Sequence, residues 1–240
     1  MTTPFPRYAA FVLAMALSAL ACANEAGIKK TLESKYPGLQ VEKITKTPYA
    51  NLYEVLVDGD IVYTDEKTGF LIQGSIVDMA SGMNVTAQRR NELNKINFAE
   101  LPLGLAMKTV KGNGKRKLAV FSDPDCPYCT QLEKELLKVS DITIYTFLYP
   151  IDALHPQARE KAKRVWCSSE RVKAWNKLML DGVEPQASAK CDNPIEKIGD
   201  LGRKYRVTGT PTLFLADGNR VPGAVAAVEL EKMLNAAVAK

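Results

Sequence analysis

The chain has 240 residues, 46% of them hydrophobic and 25% charged, with a formal net charge of +5. That length allows one large domain or two small ones. Its Lys and Arg residues are scattered among acids, which excludes the concentrated basic stripe of nucleic-acid binding. Beyond the N-terminus, no apolar run is long enough to cross a membrane.

The first element is a targeting segment. Arg7 precedes a mostly apolar run from Tyr8 to Ala21 that is short for a membrane span. Ala21-Cys22-Ala23 gives a small-x-small cleavage pattern, so residues 1–23 read as a secretory signal peptide. An uncleaved anchor and an acylated Cys22 are the alternatives. Removal leaves Cys126, Cys129, Cys167 and Cys191, and an even count in an exported chain suggests disulfide pairing.

Residues 24–84 read as a small N-terminal domain. Ile28, Leu32, Tyr36 and Leu39 recur at helical spacing until Tyr36-Pro37-Gly38 stops the helix. Strands are expected at Leu52–Asp58, Ile61–Thr64 and Phe70–Val77, separated by turns at Asp58-Gly59 and Lys67-Thr68-Gly69. That order makes an antiparallel meander, with a core too small to be comfortable alone. It would be helped by an oligomer or by packing on a larger neighbour.

Residues 85–112 read as a linker helix and hinge. Thr86 is the expected cap of a helix over Val85–Ala99, exposed on much of its surface, until Leu101-Pro102-Leu103-Gly104 breaks it.

Residues 113–240 alternate strand and helix. Lys117–Phe121 is a strand, a helix follows Cys129, and Ile142–Leu148 is the next strand, giving a β-α-β unit with a parallel pair. Leu132, Leu136, Leu137 and Val139 are its expected apolar face. A helix-rich stretch over 157–180, a helix over Ile195–Tyr205, a strand at Leu213–Leu215, a turn at Asp217-Gly218 and a last helix complete an α/β sandwich.

The chemistry sits at Cys126-Pro127-Tyr128-Cys129. Two cysteines at this spacing meet within one helical turn. After a strand and at the start of a helix, the first of them faces unpaired N–H groups and the positive end of the dipole. Both favour a thiolate, so Cys126 is the expected nucleophile and the less exposed Cys129 the resolving thiol. Pro127 suits the first turn. A structural disulfide or half a zinc knuckle are the alternatives; the possible further ligands Cys167, Cys191 and His155 form no second knuckle. Asp123 and Asp125 flank the nucleophile, where they either oppose its charge or act as solvated loop acids or helix caps, the second being favoured. His155 is expected at the surface, and Trp166 and Trp175 in the core.

Phe121-Ser-Asp-Pro-Asp-Cys-Pro-Tyr-Cys129 and Thr208-Gly-Thr-Pro-Thr212 resemble the two active-site loops of the thioredoxin superfamily. Ile61-Val-Tyr-Thr-Asp, Ile72-Gln-Gly-Ser-Ile-Val-Asp78, Trp166-Cys167 with Cys191, and Val221-Pro222-Gly223 resemble the periplasmic disulfide isomerases of the DsbC/DsbG family. The resemblance implies an α/β thioredoxin-like catalytic domain with a helical insertion. A small α+β, cystatin-like dimerisation domain and a linker helix would precede it. It implies a periplasmic homodimer that acts on misfolded, disulfide-containing exported proteins. A membrane reductant of the DsbD type would keep it reduced, and it would need no cofactor and no metal. It further implies a cis Pro211 that sets the Thr210 backbone opposite Cys126, so that Thr210 and Pro211 meet a substrate strand, and a structural Cys167–Cys191 disulfide. Tyr128, by its place between the cysteines, is either a substrate contact or a simple exposed ring. The best-known DsbC has Gly where Pro127 stands, whereas its sister DsbG carries Cys-Pro-Tyr-Cys, so Pro127 marks the redox-tuning position. Two other functions stay open: a DsbG-like chaperone or sulfenic-acid reductase, and an exported metal-binding protein.

Overall fold

The computed structural model describes residues 24–238, so the expected signal peptide and Cys22 lie outside the described residues. The chain divides into two units between Leu93 and Asn94.

In the first unit, helix α1 (24–35) buries Ile28 and Leu32 against a three-stranded antiparallel sheet. The strands are β1 (Val41–Lys46), β2 (Tyr53–Val57) and β3 (Asp60–Thr64), in that order. Asp58 and Gly59 join β2 to β3 with φ of 50° and 82°, the left-handed pair that matches the twist of a tight hairpin. β1 has no strand signature in the sequence, and the reason is local. A register shift between Val41 and Lys43 lets both Val41 and Ile44 face inward, which breaks the two-residue period.

The strand expected over Phe70–Val77 does not form. Phe70, Leu71 and Ile72 are exposed at consecutive positions, and the segment is tied to β3 by one Tyr63–Ile72 bridge and by the Thr64 hydroxyl, which donates to the Phe70 carbonyl at 2.6 Å. Its end, β4 (Val77–Asp78), pairs with β5 (Met83–Asn84). The following helix α2 (Val85–Leu93) is shorter than expected. Asn84 caps it by accepting from the Ala87 N–H at 2.8 Å. Thr86 is not the cap: it is fully buried, 2.5 Å from the Tyr63 hydroxyl, and accepts from the Ile76 N–H. Arg89 pairs with Glu54 and Arg90 with Asp60, so α2 is fastened to its own sheet, while Thr86 is its one buried residue and much of its surface is exposed as expected.

The second unit holds a five-stranded sheet of order β10-β9-β7-β8-β6. Its strands are β6 (Met107–Lys111), β7 (Arg116–Ser122), β8 (Ile142–Leu148), β9 (Thr212–Leu215) and β10 (Arg220–Pro222). β7 and β8 are parallel, joined through helix α3 (Pro127–Leu136); the other pairings are antiparallel. Helices α4 (Ala158–Cys167) and α5 (Arg171–Asp181) form the insertion, followed by α6 (Ile195–Lys204) and α7 (Ala227–Val238). Met107–Lys111 lay within the expected hinge; as an edge strand with Val110 exposed, it belongs to this sheet.

β7 is buried on both faces, as a central strand flanked by helices must be. Leu118 and Val120 pack with Leu132, Leu136, Leu230 and Leu234 of α3 and α7. Ala119 and Phe121 pack on the other side with Phe147, Ile198 and Phe214. Leu137, expected on the apolar face of α3, is 61% exposed instead because the helix has ended. Gly218 turns β9 into β10 with φ of 85° and lies so close to the Ile96 carbonyl that a Cβ would collide with it.

Candidate active site

Residues 122–126 form a short loop between a buried strand and a helix N-terminus. Cys126 is the N-cap of α3 with extended backbone (φ −80°, ψ 121°), and Pro127 opens the first turn. The Cys129 and Thr130 N–H groups donate to the Cys126 carbonyl at 3.0 and 3.2 Å, closing that turn. Both cysteines are free thiols, 5% and 0% exposed, packed among Trp166, Trp175, Leu178 and Ile195 of the insertion and α6. Tyr128 between them is 62% exposed.

The two sulfurs are strongly unlike. A hydrogen bond from the Cys129 thiol, with help from the Thr210 hydroxyl and the Cys129 and Tyr128 amides, overcomes burial and lowers the Cys126 pKa to about 5. Burial, and then donation of its proton to Cys126, pushes Cys129 well above the ordinary thiol range. Cys129 also accepts from the Asp123 N–H at 3.4 Å.

The second loop meets the first at Cys126. The Thr210–Pro211 bond is cis, and the Cys126 thiol donates to the Thr210 carbonyl at 3.3 Å. The Gly223 N–H donates to the Pro211 carbonyl at 2.8 Å, so Val221-Pro222-Gly223 backs this loop. Cys167, at the end of α4, is disulfide-bonded to Cys191 in the segment before α6, with Cα atoms 5.7 Å apart. Neither is therefore available as a further ligand beside Cys126 and Cys129.

Asp123 is not a solvated acid, nor does either flanking acid cap α3. Asp123 is 0% exposed; its carboxylate accepts from the Asp125 N–H at 2.8 Å and the Ile151 N–H at 2.7 Å. His155, expected at the surface, is instead half-buried with Nδ1 3.0 Å from that carboxylate. Asp125 is held by Lys161 of α4 at 2.6 Å, which also pairs with Glu184 at 2.9 Å. Trp166 and Trp175 are core residues as expected, but Trp175 has a polar task that composition did not reveal. Its Nε1 donates to Glu133 of α3 at 2.8 Å, and burial raises the Glu133 pKa to about 7. Lys111 donates to the Leu136 and Leu137 carbonyls, placing a cation at the C-terminal end of α3. Nothing local in the sequence links these partners; only the presence of uncommon buried charges in a strand–helix unit hints at them.

Comparison with known proteins narrows the reading. A thioredoxin-like domain family matches residues 103–238, and a disulfide bond isomerase N-terminal domain family matches residues 19–87. The chain is 42% identical over 207 residues to a probable thiol:disulfide interchange protein DsbC of Bordetella parapertussis, covering 86% of this chain and 73% of that one. It is 28% identical to the thiol:disulfide interchange protein DsbC of Escherichia coli strain K12, covering 94% and 93%. A crystal structure of a disulfide interchange protein from Neisseria gonorrhoeae superposes with a TM-score of 0.55 at 43% identity, covering 57% of this chain and 97% of that one.

Proposed function

The chain belongs to the DsbC family of thiol–disulfide oxidoreductases, and from that premise we propose that Cys126 is the nucleophile with which it rearranges non-native disulfides in exported proteins. The Cys126 thiolate attacks a substrate disulfide. One substrate sulfur becomes bonded to Cys126, and the other leaves as a thiolate. The observation that carries this reading is the opposed polarisation of the two sulfurs at the start of α3.

Cys129 must lose its proton before it can displace the substrate from the mixed disulfide. Its burial survives the loss of the Cys126 thiolate, so it stays a reluctant resolving group. That delay gives the substrate's released thiolate time to attack another substrate disulfide. The thiolate freed there then attacks the mixed disulfide at the substrate sulfur and expels Cys126 as a thiolate, which is isomerisation with no net electron transfer. Escape through Cys129 reduces the substrate and leaves Cys126–Cys129 oxidised, so a reductant must restore the dithiol. In the periplasm this is a membrane reductant of the DsbD type.

Tyr128 offers an exposed ring beside the sulfurs, and the Thr210–Pro211 loop offers backbone for an extended substrate segment. Pro127 tunes the potential through the first turn of α3. The first unit serves as the dimerisation domain: Phe70, Leu71, Ile72, Val77 and Met83 are exposed there, beside the β3 edge. The Cys167–Cys191 bond is structural.

Refolding of a scrambled multi-disulfide protein, with mass measurement of the enzyme in solution, tests the reading. Recovery of native substrate by a dimer that fails on Cys126→Ser is expected. Full recovery by Cys126→Ser, or a dimer that reduces but never reshuffles, would refute it.

A further inference from the structure

His155 and Asp123 come from distant parts of the chain and meet beside the dithiol. Asp123 is tied to both cysteines through its backbone: its N–H reaches Cys129 Sγ at 3.4 Å and its carbonyl accepts from the Cys126 N–H at 3.2 Å. Its carboxylate, with no exposure to water, is fixed by two backbone N–H groups, and His155 Nδ1 lies 3.0 Å from it as an ion-pair contact. A fixed negative charge at this place works against a thiolate next to it. An imidazolium on the same carboxylate cancels that charge.

We propose that His155 is a positioning residue for the Cys126 thiolate: as an imidazolium seated on Asp123 it neutralises a buried acid whose backbone is bonded to both cysteines, and so makes Cys126 reactivity respond to pH. The role rests on Cys126 being the nucleophile.

The surroundings favour the charged form of His155. The groups that act on it from the active-site loop are Asp123, Asp125 and Cys126; all three raise its pKa above the ordinary histidine value, led by the Asp123 carboxylate 3.0 Å away, while partial burial opposes them. From α4, Lys161 is paired with Asp125 and Glu184, and Arg159 with Asp152 and Glu196. The coupling is reciprocal: if the Cys126 thiolate favours the imidazolium, the imidazolium favours the thiolate. As pH rises through the His155 pKa the proton leaves and the Asp123 charge is uncovered. The thiolate then becomes more basic and more nucleophilic. Oxidised enzyme carries no thiolate, so it holds the His155 proton less tightly than reduced enzyme does.

The test uses the reduced full chain, with His155→Gln to remove the charge and His155→Lys to make it permanent. Ultraviolet thiolate absorbance and alkylation rate are followed across pH. Wild type is expected to show Cys126 ionisation and then a second rise in rate per thiolate above the ordinary histidine pKa. His155→Gln should raise the Cys126 pKa by about half a unit, roughly threefold in the ionisation constant, and lose the second rise. His155→Lys should restore the low Cys126 pKa and still lack the second rise. A His155→Gln profile matching wild type would overturn the proposal, as would His155→Lys behaving like His155→Gln. In Cys126→Ser, survival of the low-pH thiolate would overturn the nucleophile assignment itself, separately from His155.

Discussion

The two cysteine pairs of the second unit invert the usual expectation for thiols. Cys191 is exposed and Cys167 half-buried, yet these two are bonded to each other. Cys126 and Cys129 are shielded from water and remain free. What separates them is the backbone around them. Cys167 ends a helix and Cys191 lies in a segment without regular structure, where no array of N–H groups converges on either sulfur. Cys126 begins a helix, where amides, a second thiol and the Thr210 hydroxyl all aim donor hydrogens at one sulfur and stabilise negative charge there. Reactivity here follows from polarisation, and exposure is a poor guide to it.

Breaking the reactive side should have the largest effect. Cys126→Ser is expected to reduce both reductase and isomerase turnover to background, read by insulin reduction and by recovery of a scrambled substrate. Breaking the bonded side should do the opposite: with Cys167 and Cys191 both changed to Ser, chemical denaturation should show a loss of about 3–4 kcal/mol in the chain-entropy model. The Cys126 titration should stay where it was. A large shift in that titration would mean that the two pairs are not independent.

The comparison was partly legible in the sequence. The strand at Ile142–Leu148 and the helix opened by Pro127 are local patterns, a buried apolar run and a proline at a first turn, and the structure has both. The edge elements β6 and β10 were hidden because each is short or half-exposed and takes its order from a neighbour. α2 is exposed over much of its surface, as its charges suggest, but the pairing of Arg89 with Glu54 and of Arg90 with Asp60 on the sheet is made by the fold and has no local signal. The same limit hid the environment of the site. Cys126 and Cys129 announce themselves by spacing, whereas Asp123–His155, Asp125–Lys161 and Glu133–Trp175 are each made by the fold.

Glu133 sharpens the comparison at the far end of the active-site helix. Its carboxyl favours the protonated state in the fold, with a pKa of about 7 against an ordinary value of 4.5. Stability from the protonated form is full at pH below 4.5 and falls as pH rises towards 7, where the buried charge appears. Glu133→Gln keeps an acceptor for Trp175 and stays neutral. Above neutral pH it should be more stable than wild type by roughly 2–3 kcal/mol, with the advantage vanishing in mild acid. Urea unfolding at two pH values checks this. A smaller effect is expected from Thr210→Ala, which removes one donor to the thiolate: the Cys126 pKa should rise by about half to one unit. Alkylation rate against pH reads that shift.

The opposed polarisation of the two sulfurs is tested most directly by titrating the reduced wild-type dithiol. Thiolate absorbance is followed with pH, and mass mapping shows which cysteine is alkylated. The account predicts a single thiolate formed near pH 5 and carried by Cys126, with Cys129 still protonated at pH 9. Ionisation of neither sulfur below about pH 8, the range of an ordinary thiol, or preferential alkylation at Cys129, would contradict it.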